Sequence, residues 1–310
     1  MRNIYNQLHP VSKLGIVALV ALLGLLISMI LVSIISIPVF GMDNFSKMIS
    51  SSMNIGVENL SFLKFLQLVQ SIGLFIIPSI LLAFLFGGSI TGYLKLDKKP
   101  YYTSIILAII IVIISSPFIN FVGEINSKMT LPSAFSSIEK WMRASEDTAE
   151  NLTKLFLKTD STWGLLYNIL LIGIIPAIGE ELLFRGVIQR IFSEWTKNIH
   201  WGIWISAILF SALHFQFYGF IPRAILGAIF GYMLVWSGNL WLPVLAHFIN
   251  NTVAVIAYHL YGEGLLSVDP DKIGTNSDYH VVTIASVLLM GWMFWVFYNF
   301  EKKQKSELQS

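Results

Sequence analysis

Polar and apolar positions alternate in long blocks along the chain. Predominantly apolar runs occupy residues 14–40, 65–94, 101–123, 164–192, 199–219, 220–237, 240–261 and 281–300. A helix of about 20 such residues crosses the roughly 30 Å hydrocarbon core of a bilayer. The pattern therefore predicts an all-α polytopic membrane protein of about eight transmembrane helices. Leu14 to Phe40 holds 27 residues without a charge, too long for a signal-peptide core of about 7 to 15 residues, and reads as a retained span. Between the third and fourth runs, Phe135, Ile138, Trp141 and Met142 recur at helical spacing among Glu139, Lys140 and Arg143. That spacing predicts an amphipathic helix, either lying at the membrane interface or exposed in a solvated loop.

Composition agrees with a lipid environment. Hydrophobic residues make up 55% of the 310 and charged residues 12%, against about 25% charged in ordinary soluble domains. A net charge of +2, spread over short loops, gives no nucleic-acid footprint. The absence of cysteine removes disulfides, thiolate metal sites and cysteine nucleophiles. Lys95, Lys98 and Lys99 in one loop and Lys302, Lys303 and Lys305 in the tail predict cytoplasmic N- and C-termini in a cell (plasma) membrane protein. The segment from Gly262 to His280, with Glu263, Asp269, Asp271 and Asp278 against one lysine, suits an outside loop.

The fourth run is anomalous because it holds Glu180, Glu181 and Arg185. In an unbroken helix over 164–192 these carboxylates lie near the bilayer centre, and Pro176 and Gly179 could loosen the backbone just before them. A helix ending at Gly179 would instead leave Glu181 and Arg185 as an interfacial i,i+4 pair. No Asp, Glu, Lys or Arg occurs over 198–222 or 224–262, yet His214 stands in the first stretch and His247, Asn250 and Asn251 in the second. Polar groups at similar depth on three helices point to a functional cavity, since such groups are costly in lipid. The spacing puts His247 and Asn251 on one helix face, sets Phe210 beside His214, and lets Arg185 neutralise Glu181 while Glu180 stays available. Gly227 and Gly231 form a small-xxx-small pair for close helix packing.

Two chemistries use these parts. Glu180 and His214 could activate a water while His247 and Asn251 stabilise an oxyanion. Equally, Glu180, His214 and His247 could ligate zinc or another divalent metal, with water in the fourth position.

The ordered motifs "EELLFR", "FSALH" and "HFINN", the last within "NLWLPVLAHFINN", resemble the CPBP family of intramembrane proteases. That family includes the Ras-converting CAAX prenyl endopeptidases and the bacterial Abi proteins. The resemblance covers Gly164 to Tyr261, about a third of the chain. It implies eight helices around a cavity open to membrane and cytoplasm, with Glu180 and His214 catalytic, His247 and Asn251 stabilising the oxyanion, and Glu181 and Arg185 completing the motif. Members are often termed metalloproteases, but the HExxH zinc motif is absent here. The organisation expected is 1–160 as three spans plus the interfacial segment, 161–262 as catalytic core, and 263–310 as outside loop, last span and basic tail. The function expected is cleavage of a membrane protein or a lipidated or hydrophobic peptide near the cytoplasmic face. A non-catalytic immunity scaffold and a proton-coupled transporter are the competing readings.

Overall fold

The computed structural model describes residues 4–42, 45–46, 60–159, 161–275 and 280–307, so Asp278 of the acidic loop lies outside the described residues. All regular structure among them is helical: α1 (Pro10–Phe40), α2 (Leu60–Gly87), α3 (Tyr102–Ser127), α4 (Ser136–Leu157), α5 (Thr162–Thr196), α6 (Ile199–Ala212), α7 (Phe220–Ser237), α8 (Trp241–Gly262) and α9 (His280–Glu307), with single turns between them. The pattern of exposure is that of a protein in lipid. On α1, Leu22, Leu26, Ile30 and Ile34 are 56–60% exposed while Ser28 and Ser36 are 2% and 0% exposed. Leucine faces outward and small polar residues face the bundle, because lipid gives leucine no reason to hide and serine lets helices close up.

Among the described residues, seven helices are long and apolar enough to cross a membrane. The fifth expected span, 199–219, is shorter than its apolar run: α6 ends at Ala212 after 14 residues, or about 21 Å. There the chain tightens into a turn in which Phe215 takes a positive φ of 53°, and Ser211 Oγ donates to Phe220 O at 2.7 Å, tying the end of α6 to the start of α7. The expected eight-helix arrangement thus holds with one short member.

α4 is amphipathic as predicted, and its Phe135 end, Ile138 and Trp141 stay about half exposed. Side chains of this kind left out of the core suit an interfacial position. Its inner edge docks on the turn after α6: Ser145 Oγ donates to Phe215 O at 3.1 Å, Tyr218 N donates to Glu146 Oε2 at 3.0 Å, and the Arg143 guanidinium lies 4.3 Å from the Tyr218 ring centre.

Two apolar cores meet at α7 and α8. One joins α1, α2 and α5 to them, the other α3 and α9. At one end of the bundle, Lys13 pairs with Glu194 at 3.0 Å, Leu240 N donates to Lys95 O at 3.0 Å, and Lys305 Nζ donates to Val235 O at 3.2 Å. α4 and the 263–275 loop lie at the opposite end, where Tyr258 bonds to Asp271.

α5 runs unbroken for 35 residues, with Glu180 close to its midpoint. The alternative in which it ends at Gly179 is excluded. Its backbone widens into π-helical turns over Ile169–Ile174 and Glu181–Ile188, on either side of Pro176–Glu180. Proline at 176 brings no N–H for the carbonyl of Ile172 and its ring presses on it, which favours a local widening.

Candidate active site

Glu181 and Arg185 form the closed side of the site. Their side chains are 0% and 1% exposed, and Arg185 Nη1 lies 2.9 Å from Glu181 Oε1. Arg185 Nη2 also donates to Gly227 O at 3.1 Å, and one turn later Gln189 Nε2 donates to Gly231 O at 3.2 Å. Both contacts need bare glycines: a Cβ at Gly227 would stand 3.1 Å from Arg185 Nη2, and one at Gly231 would stand 2.7 Å from Gln189 Oε1. The small-residue pair thus does more than allow packing, because it exposes two main-chain acceptors to α5. Phe210 and Phe230 flank the guanidinium, at 4.6 and 5.7 Å from their ring centres.

The same carboxylate reaches a third helix. Glu181 Oε1 lies 2.9 Å from His247 Nδ1; a carboxylate accepts, so Nδ1 carries the hydrogen and Nε2 faces away. The His247 ring stacks on Phe230 (5.3 Å between centres, 24° between planes), and Nε2 lies 3.8 Å from Glu180 Oε2. That gap is too long for a direct hydrogen bond. Spacing along α5 pairs Glu181 only with Arg185; its grip on His247 comes from helix packing.

His214 stands at the end of α6 with its ring edge-on to Phe210, 4.8 Å between centres, as the i,i+4 spacing predicts. Its Nδ1 lies 2.7 Å from Phe210 O, a group that only accepts, so Nε2 keeps its lone pair. Asn251 Nδ2 donates to Ile172 O at 3.0 Å, and its Oδ1 accepts from Asn250 at 3.1 Å. Ile172 is four residues before Pro176, so proline frees the carbonyl that Asn251 takes.

Glu180, His214, His247 and Asn251 line one cavity of about 460 Å³, with Gln67, Asn250 and Arg223 among the other lining residues. The cavity occupies the half of the bundle nearer α4, away from the end where Lys13 and Lys305 lie. The expectations of cytoplasmic termini and of cleavage near the cytoplasmic face therefore do not go together. Arg223 is a residue that motif reading misses. The sequence did carry the signal, since Arg223 is the one formal charge between Asn198 and Gly262.

Among the described residues, no three His, Cys, Asp or Glu side chains gather as metal ligands do. Glu180, His214 and His247 share a cavity, and each imidazole is anchored through Nδ1 with Nε2 left free, as in metal-ligating histidines, but the three do not gather as a ligand group.

Residues 162–253 match the family described as Type II CAAX prenyl endopeptidase Rce1-like. "Uncharacterized protein YpbD" of Bacillus subtilis (strain 168) is 36% identical over 90 residues, 28% of this chain and 43% of that protein. The "Uncharacterized 24.3 kDa protein" of Escherichia coli is 32% identical over 109 residues, 34% of this chain and 50% of that protein. "Putative membrane peptidase YdiL" of B. subtilis (strain 168) is 28% identical over 88 residues, 28% of this chain and 36% of that protein. The chain spans half the length or less of these curated relatives. No solved structure matches it. The matched stretch contains all three motifs together with the α5, α6, α7 and α8 residues that build the cavity, and so the helical core over 162–253 is recognised as a CAAX prenyl endopeptidase-like segment of an integral membrane protein.

Proposed function

We propose that this protein is an intramembrane endopeptidase that cuts a peptide bond of a membrane protein or of a lipidated or hydrophobic peptide, using activated water. The observation that carries the reading is the facing of Glu180 and His247 Nε2 across 3.8 Å on the wall of a cavity inside an apolar bundle. Neither group is used up by the fold on that side, and a reacting atom in the cavity can lie against both. Glu180 takes a proton from a water that also donates to His214 Nε2, and the resulting hydroxide bonds to the scissile carbonyl carbon. The carbonyl oxygen becomes an oxyanion that accepts from Nε2–H of the doubly protonated His247 and from the Asn251 hydrogen not given to Ile172. The C–N bond then breaks, and the proton held by Glu180 passes to the leaving amine.

Glu181 acts through His247. It fixes the ring through Nδ1 and serves as counterion when His247 is doubly protonated, while Arg185 keeps the buried site near neutrality. No step calls for a metal. A proton relay fits less well, because the chain from Glu180 through His247 and Glu181 ends at Arg185, which does not give up its proton. With the basic loops cytoplasmic in a plasma-membrane protein, the cleaved bond lies in the outer half of the bilayer.

The test compares peptide termini by mass spectrometry in membranes of cells expressing the native protein or Glu180→Gln at matched levels. Termini that disappear in the variant establish proteolysis and name substrates. Identical termini, with the variant folded, refute the reading and leave a non-catalytic scaffold.

A further inference from the structure

Arg223 has no role in the water-activation scheme, yet it lines the same cavity as Glu180 and His214. It sits one turn into α7, half-buried, in a stretch otherwise free of formal charge. Its guanidinium is held by neutral groups of Gln216: Nη2 donates to the side-chain Oε1 and Nη1 to the main-chain oxygen at 3.5 Å. Among the described residues no carboxylate stands within the 4.0 Å of an ion pair. Glu146 accepts from the N–H of Tyr218 through Oε2 while its Oε1 lies across Gly219 from the guanidinium, and Glu146 and Glu180 both act on Arg223 only from beyond ion-pair distance.

The contrast with Arg185 is chemical. Arg185 has its carboxylate, two aromatic faces and a backbone acceptor, so its charge is matched within the protein. Arg223 is positioned without a direct ion pair. A cation with no carboxylate in contact inside an apolar bundle is costly and marks a functional place. A planar fork of N–H groups suits a carboxylate best, because two parallel hydrogen bonds can form.

Resting on the peptidase reading above, we propose that Arg223 is a specificity-determining residue that binds a carboxylate of the substrate, so that the bond presented to Glu180 is set by its distance from that carboxylate. The carboxylate is either the free C-terminus of a peptide or an Asp or Glu side chain; the chemistry at Arg223 is the same.

The experiment uses the full-length protein in phosphatidylcholine–phosphatidylglycerol vesicles and three series of randomised hydrophobic peptides. One series has a free C-terminus and no Asp or Glu. The second carries the same sequences as C-terminal amides, and the third carries amides with one internal Asp or Glu. Cleavage by the native protein and binding to Glu180→Gln are both read by mass spectrometry. The expected result is a preference of about ten- to hundredfold for one carboxylate-bearing series over the plain amides, the size of a charge-assisted contact. Preference for the first series identifies a C-terminal carboxylate, and preference for the third a side chain. Arg223→Gln abolishes the preference, and Arg223→Lys, which keeps the charge without the fork, restores part of it.

Equal handling of all three series by the native protein overturns the proposal, as does a preference that survives in Arg223→Gln. If carboxylate peptides bind preferentially and are never cut, the subsite stands and the peptidase reading falls. If none binds and none is cut, both fall.

Discussion

The two sides of the cavity are built from the same residue types and treat them in opposite ways. On the closed side, Glu181, Arg185, His247 and the Gly227 carbonyl bind one another across α5, α7 and α8, and the charged groups are 0–1% exposed. On the open side, Glu180, His214 and Arg223 line the cavity, and Glu180 is 13% exposed. Charge alone does not distinguish a structural carboxylate from a reactive one in this bundle. What distinguishes them is where they point: Glu181 is sealed among the helices that it ties together, even though its Oε2 has no hydrogen-bond partner, and Glu180 opens on the cavity, where a substrate can reach it.

The sharpest way to break this contrast is to neutralise one carboxylate on each side. Glu180→Gln should cut peptide-bond cleavage by about 10²–10⁴-fold while leaving the thermal unfolding midpoint in detergent unchanged; a large loss of stability would show Glu180 to be structural after all. Arg185→Met should do the reverse first. It strands Glu181 without its cation, and we expect a destabilisation of about 3–5 kcal/mol, read as a drop in unfolding midpoint and in membrane yield. Pairing it with Glu181→Leu should recover much of that stability without supporting activity, since His247 then loses its anchor.

Asn251→Ala tests a group on the border of the two sides, one hydrogen committed to Ile172 and one free. A fall of about 10²-fold in turnover is the expectation for a lost oxyanion donor; an effect confined to stability would assign Asn251 to the closed side. Glu146→Ala removes the acceptor of Tyr218 N and loosens the turn that carries His214, at a cost of a few-fold in turnover, of the order of one lost part-buried hydrogen bond. The smallest expected effect is that of a chelator. Cleavage before and after dialysis against EDTA should agree within about twofold, because the ligand geometry of a metal site is missing; a loss restored by zinc would redraw the open side as a metal centre.

Much of this was readable from the chain before any coordinates. Blocks of apolar residues announce the bundle, because a span needs about 20 of them whatever their order. The i,i+4 pairs Glu181–Arg185 and Phe210–His214 are legible because both members ride on one helix, whose geometry is known in advance. Contacts between helices were not. That His247 is held by Glu181, and that Asn251 gives a hydrogen to Ile172, depends on how α5 and α8 are rotated against each other. The π-helical turns change that rotation in a way hydrophobic periodicity does not record. The early end of α6 was hidden too: Leu213, Phe215 and Phe217 continue the apolar run, and only the turn at Phe215 stops the helix. Arg223 was visible as a lone charge yet belonged to no motif.

Pro176 bears on how such a chain can change over time. A hydrogen bond accepted by a side chain is lost with one substitution of that side chain, whereas the Ile172 carbonyl is main chain and stays whatever residue occupies 172. Its availability depends on the imino acid four positions later. The contact between α5 and α8 therefore draws on 176 and 251 as well as on Gly173, where a Cβ would stand 2.8 Å from Thr252 Oγ1, and of the residues between Ile172 and Pro176 only Ile174 and Ile175 are left to drift among apolar types.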